Sequence, residues 1–294
     1  GSANSCVIGA FTYMSQPAIS ANAELRAVAT NGSTLLTNYN SMANKMYAGT
    51  AALQLKAVNG GTATDLSGRL SGYTAATWQD GVWSWSQSNL SFTKQTSFVP
   101  DGPFASLQLG LNVQSELDSR VLTSNMAIGA TAVGSPLNLL FGRLVVRGGN
   151  VADAATSGST PVAVLLGSEY WNGSGFVTNT ADNCTQVNAA NLSFDSTGSN
   201  LTATGTTQTL KAGLSIDYSN QNASTNPNWA QGFRVNVPAN TSGVWPVSYT
   251  EPDPAWLKYN WVTESGAAKE ENPSSEVSVG RFRGNKRQIF WQER

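Results

Sequence analysis

The stretch that decides the fold is Leu107-Gln108-Leu109-Gly110-Leu111-Asn112-Val113. Apolar residues occupy every second position, which is the period of a strand with one dry face and one wet face. It therefore belongs to a sheet that is half open to water. The same period appears elsewhere. Before it, Ala23, Leu25, Ala27 and Ala29 alternate with Glu24 and Arg26, and Asn31-Gly32 supplies a turn. Ala51, Leu53, Leu55 and Ala57 form a second run, closed by Asn59-Gly60-Gly61. After it, Leu210, Ala212, Leu214, Ile216 and Tyr218 alternate, as do Phe233, Val235 and Val237. Short strands separated by Gly and Asn turns predict an all-β chain with little helix, built from immunoglobulin-like or related β-sandwich units. The pattern alone does not separate one kind of sandwich from another.

The length suits two domains of ordinary size or one large β domain, and two packed domains are expected. A small, apolar stretch from Gly129 to Gly134 sets the boundary near residue 130, giving an N-terminal sandwich over 1–130 and a C-terminal β-rich domain over 131–294. The second begins with Leu137 to Val146, an apolar run expected to be buried on both faces. No exact internal repeat is visible. Residues 38–48 are less regular and could hold a helical turn, and 115–126 break the alternation as a loop or short helix.

Composition narrows the functional classes. Charged residues make up 12% of the 294, and the net charge is −1. This balance, with abundant Ser, Thr, Asn and Gly, is that of a secreted β protein. It offers no basic footprint for nucleic acid. No apolar run is long enough for a membrane span. There is no charged-then-apolar leader, so an export signal or upstream domain is expected outside the chain. The sequence has no histidine, which removes Ser-His-Asp and Cys-His arrangements and His-ligated zinc. No phosphate loop, dinucleotide fingerprint or metal-ligand motif replaces them, and no cofactor or metal is expected.

Cys6 and Cys184 are the two cysteines. They read either as unrelated thiols or, in the extracellular setting the composition favours, as a disulfide. Closing so long a loop would stabilise the fold by roughly 5 kcal/mol before strain.

Three further features carry alternatives. Trp78, Trp83 and Trp85 lie in WQDGVWSWSQSNLSF (78–92). Trp83 and Trp85 share a strand face, to be either core or a sugar-stacking platform. Glu169, beside Tyr170-Trp171, is the best single acid candidate for carboxylate-only glycan chemistry, against a structural role. Asp65, Asp80 and Asp101 stand near glycines as turn formers.

The C-terminal stretch reads PAWLKYNW (254–261), a polar loop, then GRFRGNKRQIFW (280–291). Leu257, Tyr259 and Trp261 alternate as a strand. Gly284-Asn285 marks a terminal hairpin, with Phe282, Phe290 and Trp291 as anchors. Arg281, Arg283, Lys286 and Arg287 crowd its tip, either guarding an edge or forming a patch for an acidic partner.

These last blocks also carry a family resemblance. WLKYNW and GRFRGNKRQIFW, with LLFGRLVVRG (139–148) and SEYWNGSGFVTNTADNC (168–184), resemble the C-terminal region of the MSHA pilus biogenesis protein MshQ family. DGPFASLQLGLNV (101–113) and FTYMSQP (11–17) fit more loosely. The resemblance implies a bacterial surface protein associated with type IV pili, and it carries no activity over to any residue. Relatives tend to be Asp-rich after the WLKYNW-like strand. VTESGAAKEENP stands here instead, which weakens a calcium-loop reading.

The expected function is thus a non-enzymatic extracellular module, an adhesin or assembly element at the bacterial surface. Expected partners are pilus or other surface proteins, host or environmental glycans, or further copies joined through a strand edge. The alternatives are a carbohydrate-binding module, a self-assembling filament subunit and a carboxylate-based glycan-active enzyme.

Overall fold

The computed structural model describes residues 2–3, 11–39, 53–60, 62, 64–95, 100–113, 124–195, 200–205, 207–215, 233–250, 254–259 and 271–280. Among the described residues there is no α-helix. Helical structure is limited to the 3-10 turns Ser67–Arg69, Ala189–Asn191 and Ala255–Leu257. The protein is all-β.

The first half is one sandwich. One sheet runs in the order Ser2–Ala3, Ile19–Arg26, Val82–Phe92 and Leu70–Ser71, with Trp78–Gln79 also paired to Val82–Phe92. The facing sheet runs Thr12–Tyr13, Thr131–Leu140, Phe104–Val113 and Leu53–Asn59. The initial strand is divided between the sheets. Ser2–Ala3 joins one, and Thr12–Tyr13 joins the other, parallel to the last strand. This is the immunoglobulin arrangement, strands A, B, E and D facing C, F and G.

The second half repeats it. One sheet runs Gly142–Gly148, Ser159–Trp171, Phe233–Pro238 and Thr202–Thr204. The other runs Asn150–Val151, Ser274–Val279, Gly243–Tyr249 and Leu192–Phe194, and Asn150–Val151 is again parallel to the last strand. Phe176–Thr178 folds back on the end of Ser159–Trp171. The topology is therefore an internal repeat that the sequence hides. Alternation says only which residues face inward, and many side-chain choices satisfy it.

The period-2 readings hold where the strands form. Leu107, Leu109 and Leu111 are buried, while Gln108 and Asn112 are half-buried. Asp80-Gly81 makes the tight hairpin before Val82, both residues at positive φ, as a primed turn requires. Asn31 turns the chain by accepting hydrogen bonds from the Ser33 and Thr34 amides.

Three expectations are corrected. The strand over 210–218 stops at Ala212-Gly213. Both have positive φ, and Lys211 and Leu214 exchange backbone hydrogen bonds across them. A Cβ on Gly213 would come within 2.5 Å of the Asn179 carbonyl, so the turn is seated against its neighbour. The strand expected at 257–261 begins instead as a 3-10 turn after Pro254. The Leu257 and Lys258 amides bond to the Pro254 and Ala255 carbonyls; among the described residues the pairing is one bridge from Tyr259 to Glu271, and Trp261 lies outside them.

Third, a boundary at 130 would place Thr131–Leu140 in the second domain, but that strand pairs with Phe104–Val113 and closes the first sandwich. The apolar run 137–146 is two strands of two sandwiches with Phe141 alone between them. Uniform apolarity conceals a change of sheet. Readings at 40–48, 115–123, Cys6, Ile216, Tyr218 and the terminal hairpin lie outside the described residues.

Candidate functional site

The sandwiches meet at Leu140-Phe141-Gly142, and the two sides of this junction are clamped by different chemistry. On one side is Tyr13, from the first sandwich. Its neighbour Met14 donates its amide to the Leu140 carbonyl (2.9 Å), and the Ser15 amide reaches the Phe92 carbonyl (2.7 Å). These bonds fix the end of the short strand Thr12–Tyr13. The Tyr13 ring is buried within the second core, beside Phe11.

Its hydroxyl donates to Asp182 Oδ2 (2.9 Å) and accepts from Asn179 Nδ2 (2.7 Å). Asp182 is fully buried and meets further donors, Thr185 Oγ1 at 2.7 Å and the Thr185 amide at 3.0 Å. A buried carboxylate is tolerable only when its oxygens are so occupied. Burial first, and then the nearby Asp182 charge, hold the Tyr13 hydroxyl well above its usual pKa of 10.0.

On the other side, aromatic rings of the second half converge on Phe141. Phe141 lies 6.2 Å from Phe176 and 6.1 Å from Tyr259, and Phe176 lies 5.5 Å from Trp171. The Arg143 guanidinium stacks 3.8 Å from the centre of Phe176. Lys94, from the first sandwich, sits 4.9 Å from the Phe141 ring and donates to the Lys258 carbonyl at 2.6 Å. Flat cation-to-ring contacts of this kind suit a desolvated seam.

Glu169 explains why Arg143 stays there. Arg143 and Glu169 are directly opposite on paired strands. Glu169 Oε2 accepts from Arg143 Nε (2.9 Å) and Nη2 (2.7 Å), while Oε1 accepts from Arg147 Nη2 (2.6 Å). Both oxygens of this buried carboxylate are taken by arginines. That is the structural role weighed above, and a general acid is not what this geometry provides.

Gly142 sits between the clamps. A Cβ there would strike the Tyr13 ring and come within 2.6 Å of Leu257 Cδ2. Only glycine lets the two sandwiches approach this closely.

The tryptophan platform is corrected. Trp83 is 0% exposed, Trp85 2% and Trp78 6%. Trp83 and Trp85 stack at 6.2 Å, and their indole N–H groups donate to the Ala76 (3.0 Å) and Thr74 (2.9 Å) carbonyls. Their faces are spent on the first core, so none is open to a sugar ring. The strand period correctly put Trp83 and Trp85 on one face, but it could not say which face was dry.

Among the aspartates, Asp65 accepts from the Ser67 amide as a turn former, and Asp101 pairs with Arg69. Arg281, Arg283, Lys286 and Arg287 lie outside the described residues. Cys184 is among the described residues and Cys6 lies outside them, so their pairing is taken up below as part of the proposal. Among the described residues no group of three His, Cys, Asp or Glu could hold a metal ion, and no helix is long and apolar enough to cross a membrane.

Sequence reasoning singled out Glu169 but missed Tyr13, Asn179, Asp182, Lys94 and Arg143. A signal was present. The blocks 11–17, 139–148 and 168–184, with the described part 256–259 of the WLKYNW block, carry the resemblance and are scattered along the chain, yet they supply most of the junction.

Fold and site together define a class: a tandem pair of immunoglobulin-like sandwiches joined by a packed, polar-clamped seam. The chain belongs to the DUF6701 family, whose third-domain model matches residues 1–135 and whose fourth-domain model matches residues 140–294. No curated protein and no solved structure matches it.

Proposed function

We propose that this chain is a non-enzymatic structural module of a bacterial surface protein, working outside the cell in association with type IV pili. The observation that carries the reading is the junction. Two sandwiches in one chain ordinarily move relative to each other. Here a one-residue connection, a glycine under two side chains and clamps on both sides oppose such motion, which suits a spacer that holds neighbouring parts of a surface protein at a set angle. The resemblance to the MSHA pilus biogenesis protein MshQ family supports the location, and the blocks that carry it build the seam.

The Cys6–Cys184 pairing belongs to the same reading. It would tie the N-terminal strand to the second sandwich two residues after Asp182, reinforcing the Tyr13 clamp where disulfides persist. Partners are other pilus or surface proteins, with Arg281, Arg283, Lys286 and Arg287 as the candidate patch for an acidic one.

The test is on intact cells that make the parent protein. An antibody raised against this chain should label them, brief external protease should remove the label, and deletion of the coding region should lower pilus-dependent adhesion. Labelling only after lysis would overturn the proposal. So would polysaccharide turnover by the purified chain that is lost on Glu169→Gln.

A further inference from the structure

Each sandwich lends aromatic side chains to the other. Phe11 and Tyr13 precede or lie on a strand of the first sandwich, yet both are buried in the second core, among residues that include Leu144, Val164, Phe233 and Val235. In the opposite direction, Trp171, Phe176 and Tyr259 belong to the second half and pack against the first core. The hydrogen bonds follow the same reciprocity. The Tyr13 hydroxyl is held by Asn179 and Asp182, and the Lys94 ammonium by the Lys258 carbonyl. Separating the sandwiches would hydrate two buried aromatic rings, leave a buried carboxylate short of a donor and open the seam around Phe141.

We propose that the two sandwiches are one cooperative unit, latched by Phe11 and Tyr13, so that neither unfolds while the other stays folded. The second sandwich is incomplete without the latch, because the space filled by these two rings lies inside its own core. The first is held to the second because its final strand, Thr131–Leu140, runs straight into Gly142–Gly148, and Gly142 has no room to swing past Tyr13 and Leu257. Independent domains unfold in separate steps. Domains whose cores share side chains unfold together, since losing one core exposes the other. This inference concerns the molecule itself and holds or fails regardless of where the protein works.

The test uses the full chain and denaturant-dependent hydrogen exchange read separately on two strands, Phe104–Val113 in the first core and Phe233–Pro238 in the second. In the unchanged protein both should lose protection at the same denaturant concentration. Val247→Ala, in the second core on the strand Gly243–Tyr249, should lower both midpoints by the same amount. If it unfolds the chain outright, both strands should lose protection together. Loss of protection at 233–238 while 104–113 keeps its original midpoint would overturn the proposal. The latch is tested by adding Phe11→Ala and Tyr13→Ala together. These should split the transition, with 233–238 now exchanging at lower denaturant than 104–113. A double variant that still unfolds in one step would overturn the assignment of the latch to these residues.

Discussion

Tyr13→Phe removes one oxygen from the centre of the seam, and its cost can be worked from the contacts. The ring stays, so packing is preserved. The lost hydroxyl donates to Asp182 at 2.9 Å and accepts from Asn179 at 2.7 Å. A hydrogen bond to a charged group contributes about 1.5–3 kcal/mol, and a buried donor left without its acceptor costs about 1–3 kcal/mol. Asp182 keeps Thr185 Oγ1 and the Thr185 amide, and phenylalanine no longer buries a hydroxyl. Both offset part of the loss. The expected net destabilisation is about 2–4 kcal/mol, a large share of a typical total of about 5–15 kcal/mol.

The assay is urea unfolding followed by tryptophan fluorescence at pH 7 and again above pH 10. The pH series checks the electrostatics. Folding raises the Tyr13 proton affinity, so the unfolded chain ionises first. The stability due to the neutral hydroxyl is complete below pH 10 and is lost as pH rises through the folded pKa, at about 1.4 kcal/mol per pH unit while only the unfolded form titrates. Tyr73, also raised by burial, adds a contribution of the same sign, so the alkaline slope of the Phe variant should become shallower without vanishing. A loss below about 0.5 kcal/mol at pH 7, together with an unchanged alkaline slope, would refute the clamp.

Further expectations follow from single sites. Gly142→Ala should destabilise by about 1–3 kcal/mol through overpacking against Tyr13 and Leu257, and small-angle scattering should show a change in the arrangement of the sandwiches. An unaltered midpoint and scattering curve would contradict the tight seam. Glu169→Gln leaves Arg143 and Arg147 side by side without a countercharge. Since Arg147 remains 51% exposed at its side chain, solvent should hold the cost to about 1–2 kcal/mol, read as a lowered urea midpoint that added salt partly restores. Trp83→Ala should cost about 3–5 kcal/mol as a buried large aromatic. A folded Trp83→Ala chain of unchanged stability that loses retention on a glycan array would instead reinstate the sugar platform.

The sequence by itself determined the class of structure. Alternation at 107–113, 233–237 and 53–57 set strands with one dry face, because a strand places successive side chains on opposite sides of its sheet. The glycines and asparagines between them marked turns, because positive φ is costly for other residues. The missing histidine and the scattered carboxylates limit the chemistry whatever the chain's tertiary arrangement.

Tertiary structure decided the rest. Period-2 patterning tells a residue which way to face but not which partner it will meet, so the topological repeat and the division of 137–146 at Phe141 could not be read from the pattern. The same limit applied to Trp83 and Trp85, whose shared face became core only once a second sheet covered it. It applied most strongly to the seam. Tyr13 and Asp182 stand 169 positions apart, and nothing local to either announces the other. A buried carboxylate is paid for by partners drawn from remote strands, and those partners exist only after the chain has closed on itself.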